Sequence, residues 1–193
     1  NSSDMQILFS VGVDSDFRVV NVNNTCIIEL QKINDNINET DILGKNTYDI
    51  FINMFKIAPE KYDIILGNFF QTIATSSQKE YYFTYKYKNE EIHSEIVLTP
   101  IFSKENICVY IHWVSRDLTF RHKVLNALRE SEEKYRNLIE QSNDAIFLFY
   151  IDHFELTNMR FLEMFEYSKR EISSPRINFI DLSSPKRREY LPE

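Results

Sequence analysis

Tyr81-Tyr82-Phe83-Thr84-Tyr85-Lys86-Tyr87 puts Tyr81, Phe83, Tyr85 and Tyr87 on one side of an extended chain and Tyr82, Thr84 and Lys86 on the other. Period two with a lysine-bearing outer side predicts a strand covered on one face. Asn89-Glu90 supplies a two-residue turn, after which Ile92, Ser94, Ile96 and Leu98 alternate with His93, Glu95, Val97 and Thr99. That register sets Tyr87 opposite Ile92, Tyr85 opposite Ser94 and Phe83 opposite Ile96. Residues 107–114, Ile107 to Val114, are nearly continuously apolar, as befits a central strand covered on both faces.

Upstream, Ile7 to Val13 and Phe17 to Val22 are short apolar runs joined by Asp14-Ser15-Asp16, a hairpin with turn chemistry. A short helix is predicted within Asn23 to Ile33, then a polar Asn-rich loop, then helical turns near Asp41–Gly44 and Tyr48–Phe51. Pro59 followed by Glu60 opens a longer helix, since proline suits the first turn and an acid suits the positive helix end. Tyr62, Ile65, Leu66, Phe69, Phe70 and Ile73 give it an apolar stripe to about Ala74. Two strands, helices and three more strands make one antiparallel sheet with helices gathered on one side, an α+β domain.

Downstream, Leu118 to Glu140 has no Pro or Gly and is rich in helix formers. Val124, Leu128, Ser131, Tyr135 and Leu138 recur at intervals of four and three, a short heptad seam suited to self-association. A second hairpin-like start follows, Ala145 to Ile151 and Phe154 to Thr157, and then a helical stretch from Arg160 to Tyr167.

Composition removes several functions. The 193 residues carry 22 Lys+Arg against 29 Asp+Glu, a net charge of -7 that disfavours general nucleic-acid binding. Only three glycines are present, Gly12, Gly44 and Gly67, too far apart for a dinucleotide fingerprint or a phosphate loop. The longest apolar run, Ala145 to Ile151, is far short of the roughly 20 residues that span a bilayer. Cys26 and Cys108 make neither a disulfide framework nor a zinc spacing. No nucleophile–base or metal constellation can be read, so no catalytic or metal residues are expected and the chain is not expected to be an enzyme. A cytoplasmic location is the default expectation.

The two hairpins point to a repeat. Ile7 to Asp14 lines up with Ala145 to Asp152, and Asn23 and Asn158 each follow a second strand and can cap a helix. Six positions separate Asp152 from Asn158 against nine from Asp14 to Asn23, so the second turn is shorter. Ser131-Glu132-Glu133-Lys134-Tyr135-Arg136-Asn137-Leu138-Ile139-Glu140, followed by Asp144-Ala145-Ile146-Phe147, resembles the entry to a PAS sensor domain. Phe161-Leu162-Glu163-Met164-Phe165, Tyr167-Ser168, Glu171 and Phe179-Ile180-Asp181-Leu182 continue that resemblance in order. Ser115-Arg116-Asp117-Leu118-Thr119 resembles the motif with which a PAS sheet hands over to its signalling helix.

The resemblance implies two PAS domains in tandem: residues 1–117 as the first, 118–140 as a connecting helix and 141–193 as the incomplete start of the second. It implies that Asp117 and Thr119 fix the joint between strand and helix. It also implies a small-molecule cleft between sheet and helices, for which Phe69, Phe83, Tyr85, Ser94, Ile96, Ile111, Trp113 and Ser115 are the candidate lining residues. Haem is not expected, because the Pro59–Ala74 helix has no histidine, and neither is a covalent flavin adduct, because Cys26 and Cys108 lack the placement. Expected partners are a small-molecule ligand, a second copy of the chain and an output domain of histidine-kinase or cyclic-nucleotide type lying outside this sequence, as in a two-component system. The alternative is a ligand-free dimerisation or protein-interaction module. The half-sheet left at Glu193 leads us to expect a fragment of a longer protein.

Overall fold

The computed structural model describes residues 3–12, 16–87, 90–151 and 153–172. The chain divides into two units, Asn1–Val124 and Leu125–Glu193.

The first unit is built on a five-stranded antiparallel sheet of β1 (Met5–Val11), β2 (Phe17–Val22), β3 (Lys79–Tyr87), β4 (Glu90–Phe102) and β5 (Cys108–Asp117), in the order β2-β1-β5-β4-β3. Between β2 and β3 come α1 (Asn24–Gln31), α2 (Glu39–Ile42), a π-helical turn (Asp49–Met54) and α3 (Pro59–Thr75). This is the α+β architecture expected, with its helices on one face of the sheet. Alternation decides that face: Ile7 opposes Trp113, Phe9 opposes Ile111, and Ile96 opposes Ser115, so these side chains share the covered side. Cys26, Leu30, Ile42, Ile50, Phe51, Ile65 and Phe69 close over them. Phe69 is fully buried and meets Phe9 and Phe17 edge-on at 5.3 and 5.0 Å.

Local chemistry starts and stops these elements. The side chain of Asn23 accepts from the Cys26 N–H and caps α1, while Asn38 and Asp41 form a reciprocal box at the head of α2. Pro59 sits in the first turn of α3, and Ser76 ends that helix in the left-handed region at φ 51°. Gly44, at φ 76°, lets the chain turn so that its N–H reaches the Val19 carbonyl at 2.8 Å.

Three expectations need correction. Tyr87 pairs with Glu90, Tyr85 with Ile92, Phe83 with Ser94 and Tyr81 with Ile96, two residues out from the register expected about Asn89-Glu90. A two-residue slip preserves parity, so the same side chains still share one face. Asn89 itself, like Val13, Asp14 and Ser15 of the first turn, lies outside the described residues. β5 starts and ends later than expected, and its faces differ: Ile111, Trp113 and Ser115 are buried, whereas Tyr110, His112 and Val114 retain exposure. Apolar residues on both faces of β5 thus mark its central place in the sheet rather than equal cover.

α4 (Thr119–Glu140) follows β5 directly. No helix among the described residues is long and apolar enough to cross a membrane.

In the second unit, β6 (Phe147–Tyr150) pairs with β7 (His153–Thr157) as a two-stranded antiparallel hairpin, followed by α5 (Met159–Phe165) and α6 (Lys169–Ile172). Phe154, Phe161, Leu162 and Ile172 form its small core, with Phe149 and Phe165 against it. The two hairpins share a ladder pattern. Ile7 pairs with Val22 and Phe147 with Thr157; each ladder has a bulge one residue later, between Leu8 and Phe9 and between Leu148 and Phe149; then Phe9 pairs with Val19 and Phe149 with Phe154. Ile7 therefore matches Phe147 rather than Ala145, a second two-residue correction. The span closed by the capping asparagine is 17 positions in the first copy and 12 in the second, so the second hairpin is shorter by five. Phe179–Leu182, part of the motif resemblance, lies outside the described residues.

Candidate functional site

Each asparagine does more than cap. Asn23 Oδ1 accepts from the N–H groups of Gln6 and Cys26 at 3.0 Å, and its Nδ2 donates to the Asp4 carbonyl at 2.8 Å. Asn158 Oδ1 accepts from Ile146 and Phe161 at 2.9 Å, and its Nδ2 donates to Asp144 and Ile139 carbonyls at 2.9 Å. One side chain thus ties strand entry to helix start in both copies. In the first copy, this places Met5 and its neighbours beside α1.

A cavity lies at that end of the sheet, under the π-helical turn and α3. Its inner part has room of about 20 Å³, enough for about one water, and is lined by Met5, Phe51, Phe55, Ile57, Ile65, Tyr81, Phe83, Tyr85, Ser94, Ile96, Trp113 and Ser115. It adjoins an outer cleft of about 300 Å³ that shares Met5, Phe55, Tyr85, Ser94 and Ser115 and adds Glu29, Lys32, Glu90 and Asp117. Of the candidate lining residues, the structure brings together Phe83, Tyr85, Ser94, Ile96, Trp113 and Ser115. Phe69 and Ile111 stand apart from the cavity wall. Ile111 opposes Phe9, toward the β2 end of the sheet, and Phe69 packs on the same Phe9, whereas the cavity follows the far ends of β5 and β3.

Several wall residues were not legible. Phe51, Phe55 and Ile57 come from the π-helical turn and the chain after it, where Lys56 turns at φ 58° and no 3.6 or 2.0 period applies. Tyr81, by contrast, belongs to the same alternation as Phe83 and Tyr85, and extending that face by one pair would have found it.

The inner cavity carries no charge, and the cleft mouth is acidic. Burial, and after it the charges of Asp117 and Glu29, pushes the Tyr85 phenol up to about 12, so it stays a neutral hydroxyl. Burial also raises the Tyr81 phenol, with a weak donation from the Trp113 indole N–H acting in the opposite direction. The Tyr81 hydroxyl and the Trp113 Nε1–H are both buried, and no hydrogen bond of normal geometry reaches either. Glu29 is paired with Lys32 at 2.6 Å and Glu90 with Lys123 at 3.6 Å. No group of three or more His, Cys, Asp or Glu among the described residues could hold a metal ion. Cys26 and Cys108 are buried free thiols, and burial pushes Cys26 up to about 12.

Asp117 connects the cleft to α4. It lines the outer cleft, and its Oδ1 accepts from the Thr119 N–H at 2.7 Å. Thr119 Oγ1 in turn accepts from the His93 N–H at 3.0 Å, and the Leu118 N–H donates to the His93 carbonyl at 2.7 Å. Strand β4 and the head of α4 are thereby held through two residues. Along α4, Val124, Leu128, Tyr135 and Leu138 are exposed and Ser131 is half-buried.

No protein-family profile and no curated protein sequence matches the chain. Solved structures do. A sensory box sensor histidine kinase from Vibrio cholerae is similar at 16% identity and a TM-score of 0.43, over 61% of this chain and 83% of that one. An RNA-binding Light-Oxygen-Voltage receptor is similar at 16% identity and 0.46, over 70% of this chain and 36% of that one. A Rhodobacter sphaeroides LOV protein is similar at 14% identity and 0.46, over 61% of each. At these identities and TM-scores the likenesses assign neither family nor function to the chain.

Proposed function

We propose that the chain is a tandem PAS sensory region of a cytoplasmic signalling protein, with residues 1–117 binding a small molecule, 118–140 relaying the signal and 141–193 beginning a second domain. An output module of histidine-kinase or cyclic-nucleotide type would act beyond it, and the chain itself performs no catalysis. The observation that carries this reading is the double position of Asp117, whose residue lines the cleft and whose carboxylate holds the first N–H of α4. A ligand that displaces or recruits this carboxylate changes the helix start directly. The matching asparagine clips and bulges support the tandem arrangement. Native mass spectrometry of the purified chain tests for a retained small molecule, and hydrogen exchange at Thr119–Lys123 with and without it tests the relay. A retained compound whose removal leaves those amides unchanged would reject the relay.

One observation favours a second, compatible role. Phe120 is 81% exposed and Leu128 54%, on a helix whose other faces are charged. Such a stripe suits a two-stranded seam between two copies, through Val124, Leu128, Ser131, Tyr135 and Leu138.

A further inference from the structure

The buried Tyr81 hydroxyl and Trp113 indole N–H specify what the inner cavity takes. A buried hydroxyl or N–H without a partner costs about 1–3 kcal/mol, and here two such donors belong to residues that line one cavity. If the indole turned its N–H to the tyrosine oxygen, the tyrosine O–H would still lack an acceptor. Whatever fills the tip must therefore bring a lone pair. The inner lining holds no Lys, Arg or His, so a carboxylate would be buried without a counter-charge. The outer cleft sets Glu29, Glu90 and Asp117 against Lys32 alone, which further disfavours an anion. Apart from the hydroxyls of Tyr85, Ser94 and Ser115, which are shared with the outer cleft, the rest of the inner lining is apolar, Phe51, Phe55, Phe83 and Ile96 among it.

We infer that the cleft binds a neutral, largely apolar carbonyl compound, whose oxygen enters the inner cavity and accepts from the Tyr81 hydroxyl and the Trp113 indole N–H. Its body lies in the outer cleft, passing Tyr85, Ser94 and Ser115, which line both parts. The inference rests on the cleft being the sensing site.

Trp113 is the only tryptophan in the chain, so its indole N–H gives one resolved signal in a nitrogen-15 proton correlation spectrum. The test titrates the labelled full chain with acetophenone, with its carbonyl-free counterpart ethylbenzene and with benzoate. The expected result is saturable acetophenone binding that moves the Trp113 N–H downfield, weaker binding of ethylbenzene and weaker binding still of benzoate. Tyr81→Phe keeps the ring and removes the donor, so acetophenone affinity should fall about tenfold while ethylbenzene affinity holds. The wild-type spectrum decides the matter even if that variant does not fold. Ethylbenzene binding as tightly as acetophenone, with no downfield shift, overturns the carbonyl assignment and leaves the sensing cleft standing. Benzoate binding more tightly than acetophenone overturns the neutrality. Failure of every probe to bind at millimolar concentration overturns the inference, and a small molecule found by native mass spectrometry would then still uphold the sensing reading.

Discussion

The imidazole rings of His93 and His122 stack 4.3 Å apart and 6° from parallel, joining β4 to the first turn of α4. Glu91 lies 3.6 Å from His93 Nε2, the Thr84 hydroxyl 3.3 Å from its Nδ1, and the Lys123–Glu90 ion pair lies alongside in sequence. Stacked rings hold the two elements together, and an aromatic pair of this kind contributes about 0.5–1 kcal/mol. His122→Ala should therefore speed exchange of the first-turn amides of α4 a few-fold at fixed neutral pH. Unchanged exchange of those amides in the variant would show that the stack has no part in holding the helix start.

His112 sets an acid dependence of stability. It faces outward between Leu8 and Thr99, and burial lowers its pKa below the ordinary imidazole value. The folded state therefore binds its proton less readily than the unfolded chain. Stability is complete above the ordinary imidazole range and declines as pH falls through it. His112→Gln should flatten that part of the pH–stability curve, measured by urea denaturation between neutral and mildly acidic pH.

Asn158 is fully buried and satisfies four backbone groups. Asn158→Ala should cost about 1–3 kcal/mol. Hydrogen exchange should show the loss at residues 144–165 and leave β1 to β5 protected. Uniform protection across both units would contradict the clip's role.

Burial holds the Cys26 thiol near 12 and raises that of Cys108 as well. At pH 8, both should resist a thiol reagent such as dithionitrobenzoate in the native protein, and both should react in denaturant. Fast native labelling would mean that α1 or the β4–β5 end opens readily.

For the proposed seam, Leu128→Glu would set like charges across two helices and should convert a dimer into a monomer on sedimentation. The sheet and its fold should be unaffected, because Leu128 is exposed in the chain.

The elements legible in the sequence were those with a clean period. β3 and β4 alternate, α3 carries a 3.6-residue stripe, and α4 has no breakers. Register was less legible, because an error of two keeps every side chain on its proper face: Phe83 opposite Ser94 satisfies the pattern as well as Phe83 opposite Ile96. The same degeneracy misaligned Ile7 with Ala145. Of the cavity, the strand-borne wall was visible through alternation, and Phe69 was misplaced because a helical stripe reveals which face is buried but not which turn lies above which strand. Phe51, Phe55 and Ile57 come from backbone without a period, and Glu29 and Lys32 reach the cleft mouth only through the tertiary position of α1.

The twin hairpins have a practical corollary. Bulge, pairing and the asparagine's bonds to strand entry and helix start recur on either side of two connections that differ by five residues. Strand geometry in this design is thus insulated from connection length. The link between Val11 and Phe17 is accordingly the place to graft a fluorophore tag or an epitope. A short insertion there lengthens a segment whose ends are already fastened by other atoms, at an entropic cost that grows only logarithmically with its length. A biosensor built on this chain could carry its reporter at that position without disturbing the covered sheet face.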